Sequence, residues 1–453
     1  MRVLFYNSYI GVKITYFPVL LELIQKHKDA GDEISMLDCD TTLPFCEMQS
    51  FPKEIIRCKT CTETRENGFK FLNIENTNRY WIRGNRFVPD LKIPAFSTIT
   101  ELKNLSIDGV DIGSSVVSYF ITSLRETNFD LEEQRPAINE AIKSGMEVFY
   151  SVLAYLDKIK PDLLYVFNAR PFTLRCALRA SQRAGINCFV YEFAGILSRY
   201  YISNNTFPHD LEYSKLEIDY LYEKSGLSPI EKKITAKNYF MELRSNGLFN
   251  RNQKENLLPE KFDISKRTVG IFISSEDEFE SIDIWKNTFF IRQNEVIERL
   301  AIDFGEKSEF QFIVRIHPNL KELNNSQVKT LMAFNFPNLI IIPAESPVDS
   351  YYLMEKCEKV VVFGSTMGIE SVFWGIPAIL AGRAYFEGVN SCYKASSYEE
   401  LKSMIMENLE PCSKEGAYRF GFWESKRGNA YKYFDYKKET FKGYPVVNFR
   451  ENT

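Results

Sequence analysis

VVVFGSTMGIESVFWGIPAILA, residues 360–381, is the stretch that decides the fold. Val360–Gly364 is an apolar run of strand length, and Thr366–Trp374 reads as a short helix opened by Gly-Ser-Thr. Pro377–Ala381 is again a strand. Strand, helix and strand in so few residues make a βαβ unit, whose two strands must lie parallel with the helix as crossover.

The same alternation extends outward. Upstream, strands are predicted at Thr268–Ser274, Phe310–Ile316 and Leu339–Pro343, with helices at Gln293–Phe304 and Val348–Cys357; Tyr398–Leu409 is a last helix. The amino-terminal half repeats the pattern. Arg2–Asn7 is a strand, a helix through Leu20, Leu21 and Ile24 stops at Gly31, and Ile34–Asp38 is the next strand. Residues 68–112 read as irregular and 135–158 as helical. Asp162–Asn168 is a strand, Arg170–Ala184 a helix closed by Gly185, and Asn187–Phe193 a strand. The expected fold class is therefore α/β, with two Rossmann-like domains facing across a cleft. Expected boundaries are 1–210 for a first domain with a Cys-rich insertion at 39–61, and 267–412 for a second. A charged stretch, 211–266, with EKKITAK and NRNQKEN, reads as a helical linker, and 413–453 as a segment packing back on the first domain.

Composition narrows the classes. The chain has 453 residues, 45% hydrophobic and 26% charged, which suits two folded domains and excludes a disordered or collagenous chain. Lys plus Arg is 56 against 60 Asp plus Glu, so the net charge of -4 argues against nucleic acid as a partner. No apolar run reaches the length of a membrane span, and MRVLFYNSYIGVKITYFP lacks a small-residue cleavage site. Nine cysteines without an export signal point to reduced thiols in a cytoplasm.

Functional loops of a parallel sheet leave the carboxyl ends of its strands. In the second half those ends carry Ser274, Ser275, Glu276, Asp277 and Glu278, then Arg315 and His317, then Ser365, Thr366, Gly368 and Glu370. A helix amino terminus with hydroxyls and free N–H groups favours phosphate, and Gly368 would let it come close. The plain alternative is an ordinary Ser/Thr cap with an acidic first turn. His317 and Arg315 can donate to a phosphate, or His317 can give a proton to one that departs. Ser274, Ser275 and Glu276 are further donor-binding candidates, with Asp277 the catalytic carboxylate of that loop, although Ser followed by acids also suits a simple helix start. His27, in a charged helix end, reads as solvated, and His209 stays open. In the first half Asn168 and Arg170 follow a buried strand as acceptor-binding candidates. Glu192 ends the next strand as a candidate general base, or as a terminus salt-bridged to Arg170 or Arg175.

Ser274-Ser275-Glu276-Asp277-Glu278-Phe279, Val314-Arg315-Ile316-His317-Pro318-Asn319 and Gly364-Ser365-Thr366-Met367-Gly368-Ile369-Glu370, with Trp374-Gly375-Ile376-Pro377 beyond, resemble the bacterial capsule-polysaccharide glycosyltransferases. More distantly the chain is similar to the Kdo transferases, bacterial sialyltransferases and polyglycerol-phosphate transferases, which share the GT-B architecture of two Rossmann domains. The resemblance takes in Phe167-Asn168-Ala169-Arg170 and the segment near residue 40. It implies that His317, Ser365 and Thr366 hold donor phosphates and Glu370 the ribose. An acceptor hydroxyl would attack the anomeric carbon of a nucleotide sugar, with no metal required for the chemistry. The motifs report nucleotide-sugar use and leave the sugar open. A nucleotide-sugar epimerase and a non-catalytic sugar-binding subunit are the competing classes.

Cys39, Cys46, Cys58 and Cys61 fall within 23 residues and include a C-x2-C. Four thiolates suffice for a closed structural zinc site, the alternative being unconnected thiols. Residues 414–453 hold nine Lys/Arg, five acids and eleven aromatics, including Trp423. They suit either peripheral contact with the inner membrane face near a lipid-linked or oligosaccharide acceptor, or packing on the first domain.

Overall fold

The computed structural model describes residues 1–7, 16–49, 51–74, 78–194, 197–246 and 253–450. Positions 8–15, and 247–252 of the expected linker, lie outside them. The chain divides into two compact units, one of residues 1–123, 129–210 and 427–453, the other of 124–128 and 211–426.

The first unit runs β1 (Arg2–Asn7), α1 (Phe17–Asp29), β2 (Glu33–Cys39), α2 (Ile55–Phe71), β3 (Asn78–Ile82), α3 (Ile99–Lys103), α4 (Ile112–Leu124), α5 (Leu131–Ile159), β4 (Leu163–Phe167), α6 (Phe172–Ala184), β5 (Asn187–Phe193) and β6 (Arg199–Asn204). The sheet order is β3-β2-β1-β4-β5, all parallel, with β6 added antiparallel. That is the doubly wound order, which reverses between β1 and β4. β4 is buried along its whole length, as a strand covered by helices on both faces must be. Gly185 closes α6 at φ 68, a left-handed position that glycine occupies without steric cost. Two elements sit in the stretch expected to be irregular: β3, an edge strand, and α3. NRYWI is half-buried on both faces along most of its length, so it lacks the apolar run that marks the central strands.

The second unit runs α7 (Leu211–Lys224), α8 (Pro229–Asn246), β7 (Arg267–Phe272), α9 (Glu276–Glu280), α10 (Gln293–Asp303), β8 (Phe310–Arg315), α11 (Ser326–Ala333), β9 (Leu339–Ile342), α12 (Ser350–Glu355), β10 (Lys359–Val362), α13 (Met367–Trp374), β11 (Ala378–Leu380), β12 (Tyr393–Lys394), α14 (Tyr398–Met406) and α15 (Glu415–Lys426). Its sheet is wholly parallel, in the order β9-β8-β7-β10-β11-β12, the same winding with its reversal between β7 and β10. One core cluster joins β10, α13 and α15 to α7 and α8 through Val360, Val362, Phe373, Trp423, Ile218 and Phe240. Phe240 stacks on Phe373 at 4.4 Å, and Trp423 donates its indole N–H to Glu217 at 2.7 Å. The charged helices expected to form a linker are thus a packed layer of the second unit. Their exposed faces carry the charge and their buried faces the contacts.

Residues 427–450 return to the first unit. The short strand Asn429–Ala430 pairs with β6, and the Glu22 carboxylate accepts the N–H groups of Lys432 (2.7 Å) and Tyr433 (2.9 Å). Phe449 packs on Phe17 and Phe71, ring centroids 5.7 and 5.5 Å apart. None of the eleven aromatic residues of 414–453 is exposed. No helix among the described residues is long and apolar enough to cross a membrane.

Candidate functional site

A doubly wound sheet opens its crevice at the carboxyl ends of the strands where the order reverses. In the second unit a cavity of about 340 Å³ lies there, reached by Phe272 and Ile273 from β7 and its end, Arg315, His317 and Pro318 from β8 and its end, and Ser365, Thr366, Met367 and Glu370 at the start of α13. Tyr351 and Ser350 of α12, with Tyr239, Leu243 and Gln253, complete its wall. Three loops distant in sequence meet at one sheet edge because parallel pairing puts every β-to-α connection on the same side.

At α13 the Ser365 hydroxyl oxygen accepts the Met367 N–H (3.3 Å), and Thr366 stands exposed at the cap. Glu370 is buried within the first turn, hydrogen-bonded by the Tyr351 hydroxyl and by Thr366, and burial raises its pKa. Gly368 has another role than expected. A Cβ there would lie 2.6 Å from Val362 and 3.2 Å from Phe386, so the missing side chain lets α13 sit close on β10 and does not open the helix to a ligand.

His317 caps the turn that follows β8. The Asn319 N–H donates to its Nδ1 at 3.1 Å, so Nδ1 is unprotonated and the neutral ring carries its hydrogen on Nε2. Burial, helped by the nearby Arg125 and Arg315 cations, lowers the imidazole pKa to about 4. The ring is therefore a neutral hydrogen-bond donor at physiological pH. Arg315 is buried and spends its guanidinium on the carbonyls of Pro343 (2.5 Å) and Ser346 (3.0 Å), with Ser350 Oγ at 3.4 Å. Burial lowers its pKa to about 10, which leaves it charged. It shapes the cavity wall and adds positive potential there.

The loop after β7 departs most from expectation. Ser274, Ser275, Glu276 and Asp277 are all buried, and none of them lines the cavity. Ser275 donates to Asp277, and Asp277 forms an ion pair with Arg125 at 2.5 Å. Asp277 is held as a structural partner and is not presented as a catalytic carboxylate. Glu276 accepts the Gln293 N–H at 2.6 Å, and burial raises its pKa to about 7. A carboxyl raised in the folded state favours folding fully below its ordinary value of 4.5, and this contribution is lost as pH rises through 7. Glu276→Gln keeps an acceptor but cannot ionise. In urea unfolding it is expected to match the parent near pH 4 and to exceed it above pH 7.

In the first unit, Asn168 follows β4 at its reversal point. Asn168 and Ala169 both take left-handed backbone conformations, φ 52 and 57, a costly arrangement for residues with side chains. Asn168 donates to Glu192 Oε2 at 2.5 Å, and the Phe193 N–H to Oε1 at 3.1 Å. Burial raises Glu192 to about 7, against the pull of Arg170. Arg175 pairs instead with Asp111 at 2.7 Å. Tyr16 faces the same group, and the Glu192 charge helps raise its pKa after burial. His209 lies among Arg170, Arg175 and Arg427, and burial with these cations lowers it to about 3. His27 is not solvated: its ring meets Asp32 at 2.7 Å and the Tyr165 hydroxyl at 3.0 Å.

Cys39, Cys46, Cys58 and Cys61 line one small cavity beside α2, with Gln49 donating to Cys58 Sγ at 3.0 Å. Burial holds Cys39 up at about 12 and raises Cys46 as well, which keeps both as thiols. Among the described residues no three His, Cys, Asp or Glu side chains are placed to hold a metal ion. The four cysteines share the wall of this one cavity.

Sequence reasoning missed Tyr351, Tyr239, Gln253 and Arg125. Tyr351 lies in α12, read only as a helix, and nothing local marks its hydroxyl as the partner of Glu370 across 19 residues.

Residues 290–400 match the family described as capsule polysaccharide biosynthesis protein, a segment that contains His317, Ser365 and Glu370. No curated protein matches the chain. Among solved structures it is similar to the beta Kdo 2,4 transferase of Thermosulfurimonas dismutans KpsC, at 13% identity and TM-score 0.38, over 57% of this chain and 78% of that one. It is also similar to the Neisseria meningitidis UDP-GlcNAc 2-epimerase bound to UDP-GlcNAc, at 13% identity and TM-score 0.31, over 94% and 97%. A third is the calicheamicin glycosyltransferase CalG4, at 9% identity and TM-score 0.29, over 100% and 97%.

Proposed function

We propose that this protein is a glycosyltransferase of capsule polysaccharide biosynthesis, moving a sugar from a nucleotide donor to a hydroxyl of a saccharide or glycolipid acceptor. The observation that carries the reading is the cavity at the reversal point of the second sheet, where Arg315, His317, Ser365, Thr366 and Glu370 meet. The family match over 290–400 supports the same class.

In the proposed reaction the acceptor oxygen attacks the anomeric carbon while the bond from that carbon to the donor phosphate oxygen breaks. The electron pair of that bond stays on the departing nucleotide. The Nε2–H of His317, the start of α13 and the Arg315 charge stabilise the negative charge that grows there, a contribution worth most in a site shielded from water. Glu192 is proposed to take the proton of the acceptor hydroxyl, its raised pKa being suited to a base that works near neutrality.

Thermal melting with UDP, GDP, CMP and CDP tests the donor site. One of the four, at about 100 times its dissociation constant, is expected to add about 2.7 kcal/mol of stability and to raise the Tm of the second unit by about 5–11 °C. No shift with any of them would remove the reading. Incubation with the matching donor sugar alone separates the classes: an epimerase converts the sugar unaided, whereas a transferase needs the acceptor.

A further inference from the structure

The loop after β7 and the turn after β8 are joined by a side chain from neither. Arg125 lies in Leu124–Asn128, between α4 and α5 in sequence but grouped with the second unit. Its guanidinium pairs with Asp277 at 2.5 Å, and its Nη2 donates to Ser275 Oγ at 3.3 Å and to the Asn319 carbonyl at 3.2 Å. Asn319 is the residue whose N–H fixes the His317 ring, and its side-chain amide reaches Glu278 at 2.9 Å. The segment is itself anchored. Asn325 donates to the Arg125 carbonyl at 3.0 Å, and the Glu126 carboxylate accepts the Ser326 N–H at 2.8 Å and its hydroxyl at 2.5 Å.

We propose that Arg125 is a positioning residue for His317, bracing the Ser275–Asp277 loop against the His317–Asn319 turn so that the imidazole keeps one orientation. The inference rests on the reading that His317 serves the donor. The planar guanidinium directs Nη2 at both the Ser275 hydroxyl and the Asn319 carbonyl while its charge pairs with Asp277, and a lysine ammonium, a compact point charge, does not reproduce this geometry. The same cation, with Arg315 from β8, disfavours protonation of the ring. The acids of this network are Asp277 of α9, paired with Arg125, Glu278 of α9, hydrogen-bonded by Asn319, and Glu126, hydrogen-bonded by Ser326.

The test compares Arg125→Ala and Arg125→Lys by NMR titration of the three histidine rings, with His317 assigned by its loss in His317→Gln, and by steady-state kinetics. In Arg125→Ala the His317 midpoint is expected to rise above about 4 by the loss of the Arg125 charge, while burial, the larger cause, and Arg315 still hold it below the ordinary 6.5. Its kcat is expected to fall by about 10²-fold with donor KM little changed, because a misplaced donor harms the transition state more than binding. Arg125→Lys is expected to keep the midpoint low and recover only part of kcat. An unmoved midpoint in Arg125→Ala, or full kcat in Arg125→Lys, would overturn the assignment. Should Arg125→Ala fail to fold, Asp277→Asn, which frees the guanidinium while leaving its charge, is expected to lower kcat with the midpoint still low, and an unchanged kcat overturns the proposal. The titration needs no substrate. A moved midpoint in a protein that transfers no sugar would therefore sink the donor reading and leave the positioning role standing.

Discussion

Turnover of His317→Ala is expected to fall by about 10²–10³-fold, the range seen when one donor to a developing anion is removed. The physical ground is the hydrogen bond from the Asn319 N–H to Nδ1. It leaves Nε2 as the protonated nitrogen of a neutral ring, in a residue that lines the cavity. Alanine deletes that donor and leaves one backbone N–H without its acceptor, a stability cost of about 1–3 kcal/mol. Initial rates at saturating donor and acceptor, with melting curves alongside, distinguish lost chemistry from lost folding; near-wild-type turnover ends the assignment. Ser365→Ala is expected to move turnover in the same direction. The pH behaviour has a definite sign. The folded-state pKa of about 4 lies below the ordinary 6.5, so the unfolded chain binds the proton first and His317 destabilises the fold as pH falls from 6.5 to 4. Above that window it leaves the rate flat, and a limb near 6.5 that vanished in His317→Ala would contradict the neutral-donor role.

Glu192→Gln is expected to lower turnover by about 10²–10⁴-fold, as the loss of a general base does. Its pH signature runs opposite to that of histidine. Burial raises Glu192 to about 7, so the rate is expected to climb as pH passes that value and the base ionises. In Glu192→Gln this limb is expected to disappear. Stability moves the other way. A carboxyl whose folded pKa exceeds its ordinary 4.5 favours folding fully below 4.5 and loses that contribution as pH rises through 7. Glu192→Gln is thus expected to be more urea-resistant than the parent above pH 7 while being nearly inactive, provided its amide keeps a partner in Asn168. Unchanged turnover, or a limb that persists in the variant, would rule Glu192 out as the base.

Much of the fold was legible because parallel strands are covered on both faces and must be continuous apolar runs, as VVVF and LLYVF are. Edge elements escaped for the same reason. β3, half exposed, looks like loop, and β6 is an antiparallel addition that no βαβ rule requires. The site was legible where backbone topology alone places residues. His317, Ser365 and Glu370 follow strand ends, and parallel pairing brings strand ends together. Reading every polar residue of such a loop as a ligand failed at Ser274–Asp277. A loop tip and a loop root have the same composition, and only packing decides which one is buried.

The linear chain thus determined what depends on near neighbours and periodicity: two rounds of strand and helix, their order, and which residues stand at the strand ends. Tertiary structure alone decided what depends on partners far apart in sequence. It set Arg125 against Asp277 and Asn319, Tyr351 against Glu370, and Asn168 against Glu192. Those contacts fix protonation and orientation, because a side chain's charge state follows from its burial and from the groups facing it, and neither is a property of local sequence.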